Sequence, residues 1–70
     1  METYRLLDVV ALTVDIPEKG LYRGQVGTIV EILNSENFEV EFNDNSGKTY
    51  AVEPISSINL MVLNYHAVAN

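Results

Sequence analysis

The 70-residue chain contains no cysteine and no tryptophan, one histidine, two prolines and only four basic residues. Each scarcity removes a class of explanation. Without cysteine there is neither a disulfide framework nor a thiolate metal site to staple a small domain. With His66 as its one histidine, placed in an expected tail, the chain offers no nucleophile–base pair. The four bases, Arg5, Lys19, Arg23 and Lys48, stand against ten acids, giving a formal net charge of −6 and a pI near 4.4. Nucleic-acid binding draws most of its affinity from Lys and Arg on phosphates, so generic binding to DNA or RNA is disfavoured. No apolar run approaches the roughly 18 residues of a membrane span, and Met1-Glu-Thr-Tyr-Arg5 lacks the basic start and apolar core of a signal peptide. The expectation is a cytoplasmic protein with no membrane partner.

What is present is a folded domain's worth of apolar residues, 47% against 20% charged, a globular rather than disordered balance. A chain of this size is one domain, residues 1–70, and buries only about 60% of the surface it exposes when unfolded. Its most informative stretch is Leu21-Tyr-Arg-Gly-Gln-Val-Gly-Thr-Ile-Val-Glu-Ile-Leu33, followed by the alternating Phe38-Glu-Val-Glu-Phe42. Glycines at 24 and 27 permit a positive φ, a bulge or a close backbone approach where a strand turns a corner.

The strands read as follows. Asp8 to Val14 is rich in β-branched residues and forms the first strand; residues 1–7 either extend it or form a helical turn. Asp15 to Arg23, with Pro17 and Gly20, is a loop from which Leu21 and Tyr22 pack over one end of the barrel. Gln25 to Leu33 is the second strand. A three-residue turn at Ser35-Glu36-Asn37, with Asn37 left-handed, pairs Ile32 with Val40 and Val30 with Phe42. A second turn at Asn45-Ser46-Gly47 sets Lys48 opposite Asp44, Phe42 opposite Tyr50 and Val40 opposite Val52. Pro54 ends the fourth strand because it cannot donate to a ladder. Ile55 to Ile58 makes a single short 3₁₀ turn, and Asn59 to Leu63 returns as the fifth strand. Residues 64–70 are a tail that frays or extends strand five. The fold class is all-β, a small five-stranded SH3-like barrel with a short 3₁₀ turn before the last strand; an OB-type barrel is the alternative. Parity assigns the core to Val10, Leu12, Val26, Val30, Ile32, Phe38, Val40, Phe42, Tyr50, Val52, Ile58, Leu60 and Val62. Ile29 joins them if a bulge corrects its parity.

The same pairing gathers Glu31, Glu39, Glu41 and Glu53 on one outer face with no base among them. Like charges opposite one another oppose folding by a few tenths to about 1 kcal/mol per pair, so the cluster is a candidate for contact with a basic protein partner. Against it stands the plainer reading of a solvated face weakened by screening. Glutamates across a flat sheet lack the enclosure a hard cation needs, and Asp44-Asn-Ser-Gly47 is better explained as a turn than as a calcium loop. No metal, no cofactor and no catalysis are expected. The serines fall at turns, and paired-carboxylate chemistry would need one acid buried with a raised pKa. Tyr22 and Arg23 in the long loop are further partner-contact candidates, by analogy with the aromatic grooves of peptide-binding domains. Association of identical copies through the first or fifth strand, as an exposed edge, is also open.

Gly24-Gln-Val-Gly-Thr-Ile-Val-Glu-Ile32 resembles the glycine-containing strand pair of the KOW motif in ribosomal and transcription-factor SH3-like domains. Those that bind RNA are usually basic, which this chain is not. Over nearly its whole length the chain is more similar to a family of bacterial proteins of unknown function of about this size. The likeness rests on Leu7-Asp-Val-Val-Ala-Leu12, Leu21 to Glu31, Phe38-Glu-Val-Glu-Phe42 and Gly47-Lys-Thr-Tyr-Ala51. It implies an SH3-like fold and a bacterial cytoplasmic protein, with a role in a toxin–antitoxin pair as a further expectation; it transfers no functional residue.

Overall fold

Apolar and acidic side chains alternate from Phe38 to Phe42, and there the chain is a strand with every second side chain buried. In the computed structural model, which describes residues 3–65 and 67, this is β3, Asn37–Asn43. Around it stand β1, Val9–Leu12; β2, Val26–Ile32; β4, Thr49–Ser56; and β5, Leu60–Val62. Two 3₁₀ turns, Pro17–Lys19 and Ser57–Asn59, complete the elements, the second immediately before β5 as expected. All five strands lie antiparallel in one sheet of order β4-β3-β2-β1-β5, a barrel-like arrangement with no α-helix among the described residues. No helix there is long and apolar enough to cross a membrane.

The core sits on one face of this sheet. Val10, Leu12, Ile29, Phe38, Val40, Phe42, Ile55 and Leu60 meet there with Leu21, which the long loop delivers through an Ile16–Leu21 bridge. Full burial of a large aliphatic or aromatic side chain contributes roughly 1.5–3 kcal/mol, and these residues supply most of what holds so short a chain together. Tyr4 closes one end. Its ring lies 5.1 Å from that of Phe38, and its hydroxyl is 3.0 Å from the Ser57 carbonyl and 2.9 Å from that of Leu60.

Two bulges correct the expected register. The first turn is built by Asn34, whose Oδ1 accepts from the Glu36 N–H at 2.9 Å and the Asn37 side-chain amide at 3.2 Å. The turn therefore begins earlier than expected, Asn37 belongs to β3, and Ile32 faces Phe38 rather than Val40. A bulge between Ile29 and Glu31 then shifts the ladder, so Ile29 faces Val40 and points inward while Val30 is turned out. The second turn forms as expected, with Gly47 at φ +86° and the Asp44 N–H on the Lys48 carbonyl. A second irregularity follows between Phe42 and Asn43, so Phe42 faces Ala51 instead of Tyr50.

The core list changes accordingly. Val26, Val30, Ile32, Tyr50, Val52 and Ile58 are exposed, whereas Leu21, Ile55 and Ala11 are buried. Nor does Pro54 end β4. The strand runs on to Ser56, because β4 is a sheet edge where a missing N–H can face solvent without breaking a ladder bond. His66 lies outside the described residues.

Candidate functional site

Residues directly opposite in neighbouring strands share a face of the sheet, so the ladder fixes the outer surface. One row across β2, β3 and β4 reads Thr28, Glu41, Val52; the next reads Glu31, Glu39, Pro54. Glu31, Glu39 and Glu41 therefore do share the outer face, with Glu31 opposite Glu39 instead of Glu41. Glu31 is exposed, and Glu39 and Glu41 are half-buried between neighbouring strands. Thr49 donates its hydroxyl to Glu41 Oε2 at 3.1 Å and accepts from the Asn43 side-chain amide at 3.0 Å, which fixes one carboxylate of the three.

Glu53 does not join them. The irregularity after Phe42 places it opposite Val40, on the core-facing side of the edge strand. There its Oε1 lies 2.9 Å from Lys19 Nζ of the first 3₁₀ turn, the one ion pair among the described residues. Lys19 is thus committed to Glu53 on the other side of the sheet. None of the three outer carboxylates is in an ion pair among the described residues.

Tyr22 and Arg23 stand elsewhere again. Their loop is pinned by the Tyr22 N–H on Gln25 Oε1 at 2.6 Å and the Arg23 N–H on Asp15 Oδ1 at 2.9 Å. It is joined to β1 by Gly24 donating to the Leu12 carbonyl at 2.8 Å. Tyr22 is half exposed, and Arg23 lines a groove together with Ala11 and Met61 on the β1–β5 half of the sheet. Sequence reading missed Ala11 and Met61. Their signal is that each sits between two inward-facing neighbours, Val10 and Leu12 in one strand and Leu60 and Val62 in the other, which turns both outward.

Among the described residues no group of three His, Asp or Glu side chains could hold a metal ion. Asp44 illustrates why its turn resembles a calcium loop without being one. Its carboxylate accepts the Ser46 hydroxyl at 2.7 Å, the Ser46 N–H at 2.9 Å and the Lys48 N–H at 3.0 Å. Led by the Ser46 hydroxyl, these bonds hold the Asp44 carboxyl below its ordinary pKa. The turn is therefore stabilised by the charged form above the ordinary carboxylate range, and that contribution is lost as pH falls through the lowered value.

No curated protein and no solved structure matches the chain. Residues 6–62, from the turn before β1 to the end of β5, match the family described as Domain of unknown function (DUF4926), and the chain belongs to that family.

Proposed function

We propose that this chain is an SH3-like barrel acting in the bacterial cytoplasm as a non-catalytic protein-binding module, in the manner of an antitoxin. Its outer face, bearing Glu31, Glu39 and Glu41, engages a basic surface of a partner protein. The observation that carries this reading is the separation of charge. Three carboxylates lie on two adjacent strands of one face with no base among them, while the paired Glu53 lies on the other. Like charges so placed weaken the isolated fold, and a cationic partner relieves that repulsion.

The alternative of an RNA-associated domain draws less support. Of the bases it would use, Lys19 is ion-paired with Glu53. The Arg5 and Arg23 backbones are each bonded to a carboxylate, Asp8 and Asp15, so phosphates would meet acids beside them. Self-association through the first strand is opposed because β1 lies between β2 and β5 rather than at an edge, and along β5 the Leu60 carbonyl already accepts the Tyr4 hydroxyl while its N–H bonds the Ser57 carbonyl.

The test begins with capture from native extract and identification of the bound protein. The purified partner is then titrated against the wild-type chain and a Glu39→Lys/Glu41→Lys variant by calorimetry. The reading expects the variant to bind at least about tenfold more weakly, a loss of roughly 1.4 kcal/mol. Unchanged affinity, or a captured partner with an acidic contact surface, sinks it.

A further inference from the structure

β2 outruns its neighbour. β1 pairs with it as far as Thr28, and the last bonds on that side join Ile29 to Asp8 and Leu7. Beyond them the ladder to β3 sets where each backbone group points. Leu33 donates to the Asn37 carbonyl, so the adjoining Ile32–Phe38 pair is a non-hydrogen-bonded one, and the Ile32 N–H and C=O face away from β3. Among the described residues neither group has a backbone partner on that side. The short edge is also apolar. Ile32 is 48% exposed, and Val30 and Leu33 are exposed along the same stretch. The Leu7 N–H, 2.7 Å from the Ile29 carbonyl, sets a turn from Arg5 to Asp8 against the start of the edge. Its tip, Leu6 and Leu7, is exposed, and Leu7 holds φ +72°, a left-handed conformation that costs a leucine more than a glycine.

We infer that this edge is an interface between two copies of the chain, paired antiparallel about a two-fold axis at Ile32. Each Ile32 then exchanges N–H and C=O with its equivalent, so one residue satisfies both open groups. Glu31 of one copy lies opposite Leu33 of the other rather than opposite its own equivalent. The area suits a second copy. The exposed parts of Leu6, Leu7, Val30, Ile32 and Leu33 amount to about 300–400 Å² of apolar surface. A standard interface takes about 800 Å² per partner, a little over half of it apolar. The edge also carries both signs of charge, as a self-complementary surface requires: Arg5 in the turn and Glu31 on the strand, neither in an ion pair among the described residues. The long edge of β4 is less suited, because Pro54 has no N–H to give. Net charges of −6 on each copy oppose the pairing, so salt strengthens it. Attraction between the acidic row and a basic partner responds to salt in the reverse sense, and the two readings stand or fall separately.

Sedimentation equilibrium of the full-length chain at low and high salt tests this, from about 10 µM to about 1 mM, a range that brackets weak association. A monomer–dimer equilibrium is expected with a Kd on the order of 0.1 mM, as for interfaces at the small end of the range. It should tighten at least about threefold as salt screens the two net charges. Ile32→Lys lowers the net negative charge, yet is expected to weaken the dimer at least about tenfold by placing an unpaired cation in the interface. Leu7→Gly relieves the left-handed strain, so the fold is kept while the dimer weakens at least about threefold. The Ile32 amide is expected to exchange more slowly as protein concentration rises. A chain that stays monomeric at about 1 mM in high salt, well above the Kd expected, overturns the inference. So does a dimer that Ile32→Lys leaves intact, one that Val52→Lys on the β4 edge abolishes instead, or one that weakens as salt rises. A purified partner protein whose binding Ile32→Lys abolishes, while the chain alone stays monomeric, would give the edge to that partner and overturn it as well.

Discussion

β2 and β3 are both seven residues long and lie side by side in the middle of the sheet, yet only β3 keeps strict alternation. Every second side chain of β3 is buried from Phe38 to Phe42, whereas β2 keeps the rhythm through Ile29 and then exposes Val30, Glu31 and Ile32 in succession. The difference lies in the neighbours. β3 is flanked by strands along its whole length. β2 is paired with β1 only as far as Thr28, with Ile29 bonded to Asp8 and Leu7. There the first segment turns away through Leu7, which adopts φ +72°. Past that point β2 has a strand on one side only, and its bulge falls at that place. Alternation reports inward and outward faces where a strand has two neighbours; where one neighbour leaves, apolar residues no longer identify the core.

The sharpest check on this contrast uses two adjacent aliphatic residues of β2. Ile29 is fully buried and Val30 is 38% exposed. Ile29→Ala is expected to cost about 2–5 kcal/mol, as for a buried aliphatic side chain with a residual cavity, and Val30→Ala less than about 1 kcal/mol. Urea unfolding of the two variants measures both. The register that plain alternation favours has Val30 inside, so a reversed order of effects, or equal ones, would place the bulge elsewhere.

A smaller but still large effect tests how closely the two strands approach. Gly27 faces Phe42 across the ladder, and a Cβ there would lie 2.7 Å from Val40 Cγ1, 2.8 Å from the Glu41 carbonyl oxygen and 3.0 Å from Phe42 Cδ1. The carbonyl belongs to the central strand and has little freedom to yield. Gly27→Ala is expected to destabilise by about 1–3 kcal/mol, the usual range for overpacking a core, read as a lower urea midpoint. A neutral result would mean that β2 and β3 can separate at this point without loss.

Much of this architecture was readable from the chain. β3, the turn at Gly47 and the 3₁₀ turn before β5 follow from alternation, a glycine at the left-handed place of Asp44-Asn-Ser-Gly-Lys48, and the short spacing between strands. The bulges at Val30 and Tyr50 were not readable, because both residues are apolar and β-compatible, and parity alone assigns them inward. The error at Tyr50 propagated to the candidate site by moving Glu53 across the sheet, whereas the early turn at Asn34 moved Glu31 by an even number of places and left it outside. Ile55 was left out of the expected core, and Leu21 was expected to pack over the barrel end but not within the core, for other reasons. One follows a proline that an edge strand tolerates, and the other comes from a loop whose packing depends on contacts distant in sequence.

The smallest expected effect separates the same two outcomes by sign. Under the register favoured by alternation, Glu31 and Glu53 both belong to one repelling cluster, and neutralising either should stabilise the chain. In the structure Glu31 faces Glu39, but Glu53 is bonded to Lys19 at 2.9 Å. Glu31→Gln is therefore expected to raise stability by a few tenths of a kcal/mol. Glu53→Gln is expected to lower it by about 0–1 kcal/mol, since both partners of that pair are partly solvated. Both shifts should shrink as salt rises and the Debye length falls below about 8 Å. Paired urea titrations at low and high salt can resolve a difference in direction even where each magnitude is small. If both variants stabilised the chain equally at low salt, Lys19 would not be neutralising Glu53, and the two faces of the sheet would not differ in charge as the ladder requires.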